Sequence, residues 1–232
     1  MMPSLSRTFY VLALISLTTA CAGPTPGTAP PSSTPSAPVV LPAGEPTFTA
    51  MAVSPLSKEI PLQIVSIFGY EPGEALVSPA TELAGFVAKP RQDAAFGKEP
   101  LRTLLLSPAP APTKAKSLLY VALGLRAEFS LERVRAVGET AMRETLKMKV
   151  EHMAFAPIVR DQGVTTFAAD DVAQAFVEGA LLEFGSERRA APASDLALRD
   201  VTYEAGPQFV ESVSKAVARG VAAAHSKLAS GH

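Results

Sequence analysis

Apolar positions along the chain fall into three regimes. Residues 9–17 form one nearly unbroken apolar run, residues 22–45 show no period at all, and from Pro46 onward short apolar runs alternate with helical periodicity. Within that third part, period-two or continuous apolar stretches predict strands over residues 47–53, 62–68, 101–106, 117–123, 152–155 and 198–203. A short helix is expected from Pro79 to about Ala88, ended before Pro90, because proline is tolerated in a first turn and stops a helix that precedes it. Ser130 is a good N-cap for a helix carrying Leu131, Val134, Val137, Ala141 and Met142 on one face as far as about Lys147. Asp170 or Asp171 caps another, whose buried face would hold Val172, Ala175, Phe176, Ala180, Leu181 and Phe184. Gly206 and Pro207 open the last helix, about 33 Å long to Leu228, with Val210, Val213, Val217 and Val221 along one side. The order β-β-α-β-β-α-β-α-β-α implies an α/β domain with a mostly parallel or mixed sheet and helices on both faces. The runs at 101–106 and 117–123 are continuous enough to be strands covered on both sides.

The first two regimes describe delivery, not folding. The apolar run at 9–17 follows Arg7 and is too short to cross about 30 Å of hydrocarbon, but it has the length of a signal-peptide core. Thr18, Thr19 and Ala20 then lead into Cys21. This arrangement resembles the bacterial lipobox, with Thr18 where leucine is commonest, and implies cleavage after residue 20 and acylation of Cys21. Ala22 after the cysteine, where aspartate would signal retention, points by the same resemblance to the outer membrane. Pro24, Pro26, Pro30, Pro31, Pro35, Pro38 and Pro42 lie in the stretch that follows, with almost no charge. Such a segment builds no core and serves as a tether, spanning roughly 25–30 Å as coil or about 75 Å as polyproline II. The expected organisation is therefore residues 1–20 signal peptide, 21–45 lipidated cysteine and tether, and 46–232 one domain.

Charge and chemistry narrow the function classes. With 21 Lys and Arg against 22 Asp and Glu, the chain lacks the basic excess of an electrostatic nucleic-acid binder, and no nucleic-acid partner is expected. One cysteine excludes an internal disulfide. His152, His225 and His232 are not at metal-ligand spacing, and Asp170 with Asp171 read as helix-start residues. There is no Gly-x-Ser-x-Gly elbow and no Gly-x-Gly phosphate loop. No catalytic residue, metal site or cofactor is expected. Gly124, at the end of an apolar strand, is the candidate for a ligand crevice, since open α/β sheets bind ligands beyond their strands' carboxyl ends.

Three patterns carry a family resemblance: Thr103-Leu104-Leu105-Leu106 before a loop, Leu119-Tyr120-Val121-Ala122-Leu123-Gly124 ahead of a helix, and Glu178-Gly179-Ala180-Leu181-Leu182 late in the next. Together they resemble the N-terminal domain of the leucyl (cytosol) aminopeptidase family, whose fold is similar to macro domains. The resemblance implies a macro-domain-like three-layer α/β/α fold. It implies no activity, because that family's two-metal peptidase site lies in a C-terminal domain and its Asn-Thr-Asp-Ala-Glu-Gly-Arg-Leu motif does not occur here. Two classes follow: a non-enzymatic interaction or structural module at the cell envelope, or a binder of a small molecule or nucleotide derivative. Expected partners are the lipid bilayer, through acylated Cys21, and an envelope protein or a second copy. For the latter, the stripe Val210, Val213, Val217 and Val221 is the candidate interaction surface unless it packs on its own domain.

Overall fold

The computed structural model describes residues 44–69, 90, 94–190 and 196–231. The expected signal peptide, Cys21, nearly all of the tether, the helix expected over 79–88 and His232 lie outside the described residues. Six strands, β1 (Thr47–Met51), β2 (Leu62–Phe68), β3 (Thr103–Leu106), β4 (Ser117–Gly124), β5 (His152–Ala156) and β6 (Asp200–Glu204), make one sheet in the order β1-β6-β5-β2-β4-β3. Every neighbouring pair is parallel except β3 with β4. The helices are α1 (Ala94–Lys98), α2 (Leu131–Met148), α3 (Ala169–Ala190) and α4 (Val210–Ala229).

Strand alternation divides the side chains into two layers. Phe48, Ile64, Leu119, Phe155 and Tyr203 face the larger core with α2, α3 and α4, while Val65, Ile67, Tyr120 and Ala156 face a smaller core that includes Phe96 of α1 and Leu56. Phe155 and Phe176 stack with centroids 3.7 Å apart, and Tyr203 leans on both. Each fully buried aromatic of this kind contributes about 1.5–3 kcal/mol.

The helix layer is held by close backbone approach and one buried charge. A Cβ on Gly179 of α3 would run into the carbonyl oxygen of Arg135 in α2, so only glycine lets these helices meet at this distance. Beside it, Glu178 pairs with Arg135 at 3.2 Å and with Lys227 of α4 at 2.6 Å. Burial pushes the Glu178 carboxyl up, but the hydrogen bonds from Lys227 and Arg135 outweigh it and hold the group below its ordinary range. One carboxylate thereby ties three helices together. The chain is already fastened at Glu45, whose carboxylate lies 2.8 Å from His225 of α4.

Several expected boundaries move for identifiable reasons. Leu101 has φ +67, which a strand residue does not adopt, so β3 starts at Thr103. It is also an antiparallel edge strand with Leu105 45% exposed, not a strand covered on both faces. Pro207 lies in the turn ahead of α4, which begins at Val210. Ser130 does cap α2, accepting from the Arg133 N–H at 3.2 Å, whereas α3 starts at Ala169 and places Asp170 and Asp171 inside its first turn. Val213, Val217 and Val221 are buried in the main core and Val210 packs at its edge. The stripe offered as an interaction surface is therefore covered by the chain's own α3 and β1.

Candidate functional site

Five parallel strands end on one edge of the sheet, and that carboxyl edge is where connecting loops can leave a crevice. Among the described residues, its β2 and β4 half is packed by aromatic side chains and a buried amide. Phe68 meets Phe129 edge-on at 5.0 Å, and Phe129 meets Phe167 at 5.6 Å. The buried Gln162 amide inserts beside them, accepting from the Phe68 N–H at 2.9 Å and donating to the carbonyls of Ser66 and Ile158 at 3.0 and 3.1 Å. Gly124 has φ +78, and a Cβ there would lie 2.9 Å from Nη1 of Arg133, which donates to the Leu123 carbonyl. Its N–H neighbour across the strands, Gly69, donates to the Gly124 carbonyl at 2.9 Å. Gly124 thus marks a tight strand exit packed by Arg133 and Pro100.

The half formed by β1, β5 and β6 is open. A cavity of about 610 Å³ lies between Ser54 and Pro55 after β1, Pro157 and Arg160 after β5, and Glu204 and Phe209 at and after β6. That is within the range of small-molecule sites, about 300–1,000 Å³. The first turns of α3 and α4 close one wall with Val172 and Val213. Consecutive residues at the end of β6 point to opposite sheet faces, so Tyr203 bounds the cavity on the helix side and Glu204 on the other.

Glu204 is the unusual residue of the cavity. It is 3% exposed, accepts from Nε2 of Gln63 at 3.2 Å through Oε2, and its Oε1 is buried without a hydrogen-bond partner. Burial is the main cause that raises its carboxyl from 4.5 to about 8, against smaller lowering effects from Gln63 and Lys58. A carboxyl in this setting is neutral at pH 7, since protonation avoids the larger penalty of an ionised group out of water. Lys58 hydrogen-bonds to Oγ1 of Thr202, on the same face of β6, and burial lowers its ammonium against the pull of Glu204 and Asp200. The Tyr203 hydroxyl is likewise buried and unpartnered, and burial pushes it well above the ordinary phenol range. At the mouth, the guanidinium carbon of Arg160 sits 5.1 Å from the Phe209 ring centroid, a cation–π contact.

The titratable residues picked from the sequence do not gather here. His152 pairs with Asp200 at 2.8 Å at the other end of the strands, His225 pairs with Glu45, and Asp170 lies 3.4 Å from Arg219 of α4. Among the described residues no three His, Cys, Asp or Glu side chains converge to hold a metal ion. Glu204 was not singled out. Its signal was present as a polar alternation, since Thr202 and Glu204 fall on one face of a strand whose other face carries Val201 and Tyr203.

Residues 93–184 match the model of the N-terminal domain of the cytosol aminopeptidase family. Over these residues the chain is similar to the N-terminal domain of that family. A probable cytosol aminopeptidase of Roseiflexus castenholzii is 30% identical over 183 residues, which cover 76% of this chain and 34% of that one. The chain thus spans about a third of that relative's length. Among solved structures, a mutant tomato leucine aminopeptidase superposes with a TM-score of 0.52 at 14% identity, covering 77% of this chain and 37% of that one. A mutant macrodomain of Oceanobacillus iheyensis superposes with a TM-score of 0.53 at 11% identity, covering 83% and 97%. Likenesses at such identities establish the fold alone, a macro-domain-like α/β sheet. In this chain the run Glu178-Gly179-Ala180-Leu181-Leu182 lies along the contact line of the helix layer. Leu119 to Gly124 is the fully buried strand β4. The family's pattern in this chain is a folding pattern.

Proposed function

We propose that the chain is a membrane-anchored bacterial lipoprotein whose aminopeptidase N-terminal domain serves as a non-catalytic binding module at the cell envelope. The cavity at the open half of the carboxyl edge carries this reading: it is a preformed space of ligand size in a domain whose helix faces are occupied by its own core. Anchoring rests on the apolar run at 9–17 and Cys21, and the proline-rich stretch behind it would hold the domain clear of the lipid.

The test uses the full chain in a bacterial host fed labelled palmitate. Wild-type protein should take up label and fractionate with membranes, and Cys21→Ser should abolish the label. The purified protein, supplied with zinc or manganese, should leave leucine amides intact. Unlabelled wild-type protein in the soluble fraction sinks the anchor, and metal-dependent turnover that survives repeated purification sinks the non-catalytic role.

A further inference from the structure

We propose that the cavity between the carboxyl ends of β1, β5 and β6 binds a small amphiphilic monoanion, with its apolar body inside and its carboxylate on the guanidinium of Arg160. This rests on the binding-module reading and names its ligand class. The walls supply the first half of the argument. Ala52, Val53, Pro55, Ile158, Val172 and Val213 present hydrocarbon to the cavity, and burying apolar ligand surface against them gains roughly 25 cal/mol per Å².

The mouth supplies the second half. Arg160 is exposed, and its guanidinium carbon lies 5.1 Å from the centroid of the Phe209 ring, which itself lines the cavity. Among the described residues it makes no ion pair, which leaves its N–H edge for an incoming group. A guanidinium edge matches a carboxylate bidentately and forms charge-assisted hydrogen bonds with it. Asp161, adjacent and exposed at the same mouth, opposes accumulation of negative charge and so favours one charge over two. The buried wall offers little opposition to a single anion, because burial favours the protonated, neutral form of Glu204. An aliphatic acid and an aromatic acid share this chemistry.

The experiment is calorimetric titration of the full chain carrying Cys21→Ser, at pH 7 and low salt. The probes are octanoate, 4-phenylbutyrate, octan-1-ol and octylammonium. At least one of the two carboxylates should bind about tenfold or more tighter than the alcohol and the ammonium, and whichever is tighter identifies the aliphatic or the aromatic source. Arg160→Ala should weaken the carboxylate about tenfold, and Arg160→Lys, which keeps the charge and loses the fork, should fall between. Equal binding of octanoate and octan-1-ol, or an Arg160→Ala chain with unchanged affinity, overturns the proposal. Preference for octylammonium overturns the ligand class while leaving the cavity a binding site. Silence from all four probes removes the cavity as their site, and the anchor is then still judged by palmitate labelling alone.

Discussion

The two halves of the sheet's carboxyl edge are built from the same backbone and put to opposite uses. At β2 and β4 three aromatic rings and the Gln162 amide fill the space, and every polar group of that amide that can bond to backbone does so. At β1, β5 and β6 the loops stand apart, and two polar atoms, the Tyr203 hydroxyl and Oε1 of Glu204, are buried without partners. A buried polar group left unsatisfied costs about 1–3 kcal/mol, a cost that packing would remove if stability alone shaped the region. The filled half is therefore part of the fold's support, and the open half is where the fold tolerates a cost.

The contrast breaks most readily at Phe68. Phe68→Ala removes a fully buried ring from β2 and its edge contact with Phe129, and should destabilise the domain by about 3–5 kcal/mol in urea unfolding. The same variant should leave carboxylate binding at the open half unchanged under folding conditions. A loss under 1 kcal/mol would mean that the filled half is a loosely packed crevice after all.

Glu204→Gln probes the open half with a smaller effect and a definite sign. The folded carboxyl titrates near 8 and the unfolded one near 4.5, so the folded state holds a proton that the unfolded state releases. Wild-type stability is then fully present below pH 4.5 and declines as pH rises towards 8, with a slope of at most about 1.4 kcal/mol per pH unit. Glu204→Gln keeps an acceptor for Gln63 and cannot ionise. Its unfolding free energy should lose this dependence across that window and exceed that of the wild type by up to about 4 kcal/mol at pH 8. Parallel pH profiles for the two proteins would show that Glu204 is ionised in the fold, with compensation from Lys58.

What could be read from the sequence follows the same division. The filled half is made of strands and helices whose apolar periods are strong, so β2, β4, α2 and the burial of Val134, Val137 and Met142 were legible. Gly124 was legible as a glycine at a strand end, but not as a packed corner, because Arg133 and Pro100 reach it only through tertiary contact. The cavity was not legible, since its walls come from three loops far apart in the chain and from first turns that look like ordinary helix starts. Nor was Glu204, whose burial comes from residues distant in the chain, among them Met51 beside it in the sheet and Gln63, which donates to its carboxylate. The stripe on α4 could be seen as apolar, yet whether it met α3 or a partner depended on Gly220, where an added Cβ would lie 2.7 Å from the Gln174 carbonyl oxygen and 2.9 Å from the Val177 side chain.

The smallest effect is the most informative about the open half. Arg160 is exposed, lies in a loop, makes no ion pair among the described residues, and contributes to stability only through its contact with Phe209. Exposed cation–π contacts are worth roughly 0.5–1 kcal/mol, and part of that is offset by the side-chain entropy regained when the arginine is removed. Arg160→Ala should therefore change the unfolding free energy by about 0.5 kcal/mol or less, while Phe68→Ala at the other half costs several times more. Measured by urea unfolding of the ligand-free chain, a near-silent Arg160→Ala combined with about tenfold weaker carboxylate binding separates a recognition residue from a structural one. A loss above 2 kcal/mol would instead mean that the Arg160 and Phe209 pair clamps the loop after β5 to the start of α4. The mouth of the cavity would then be structural, and the division between the two halves would fail at the residue on which recognition depends.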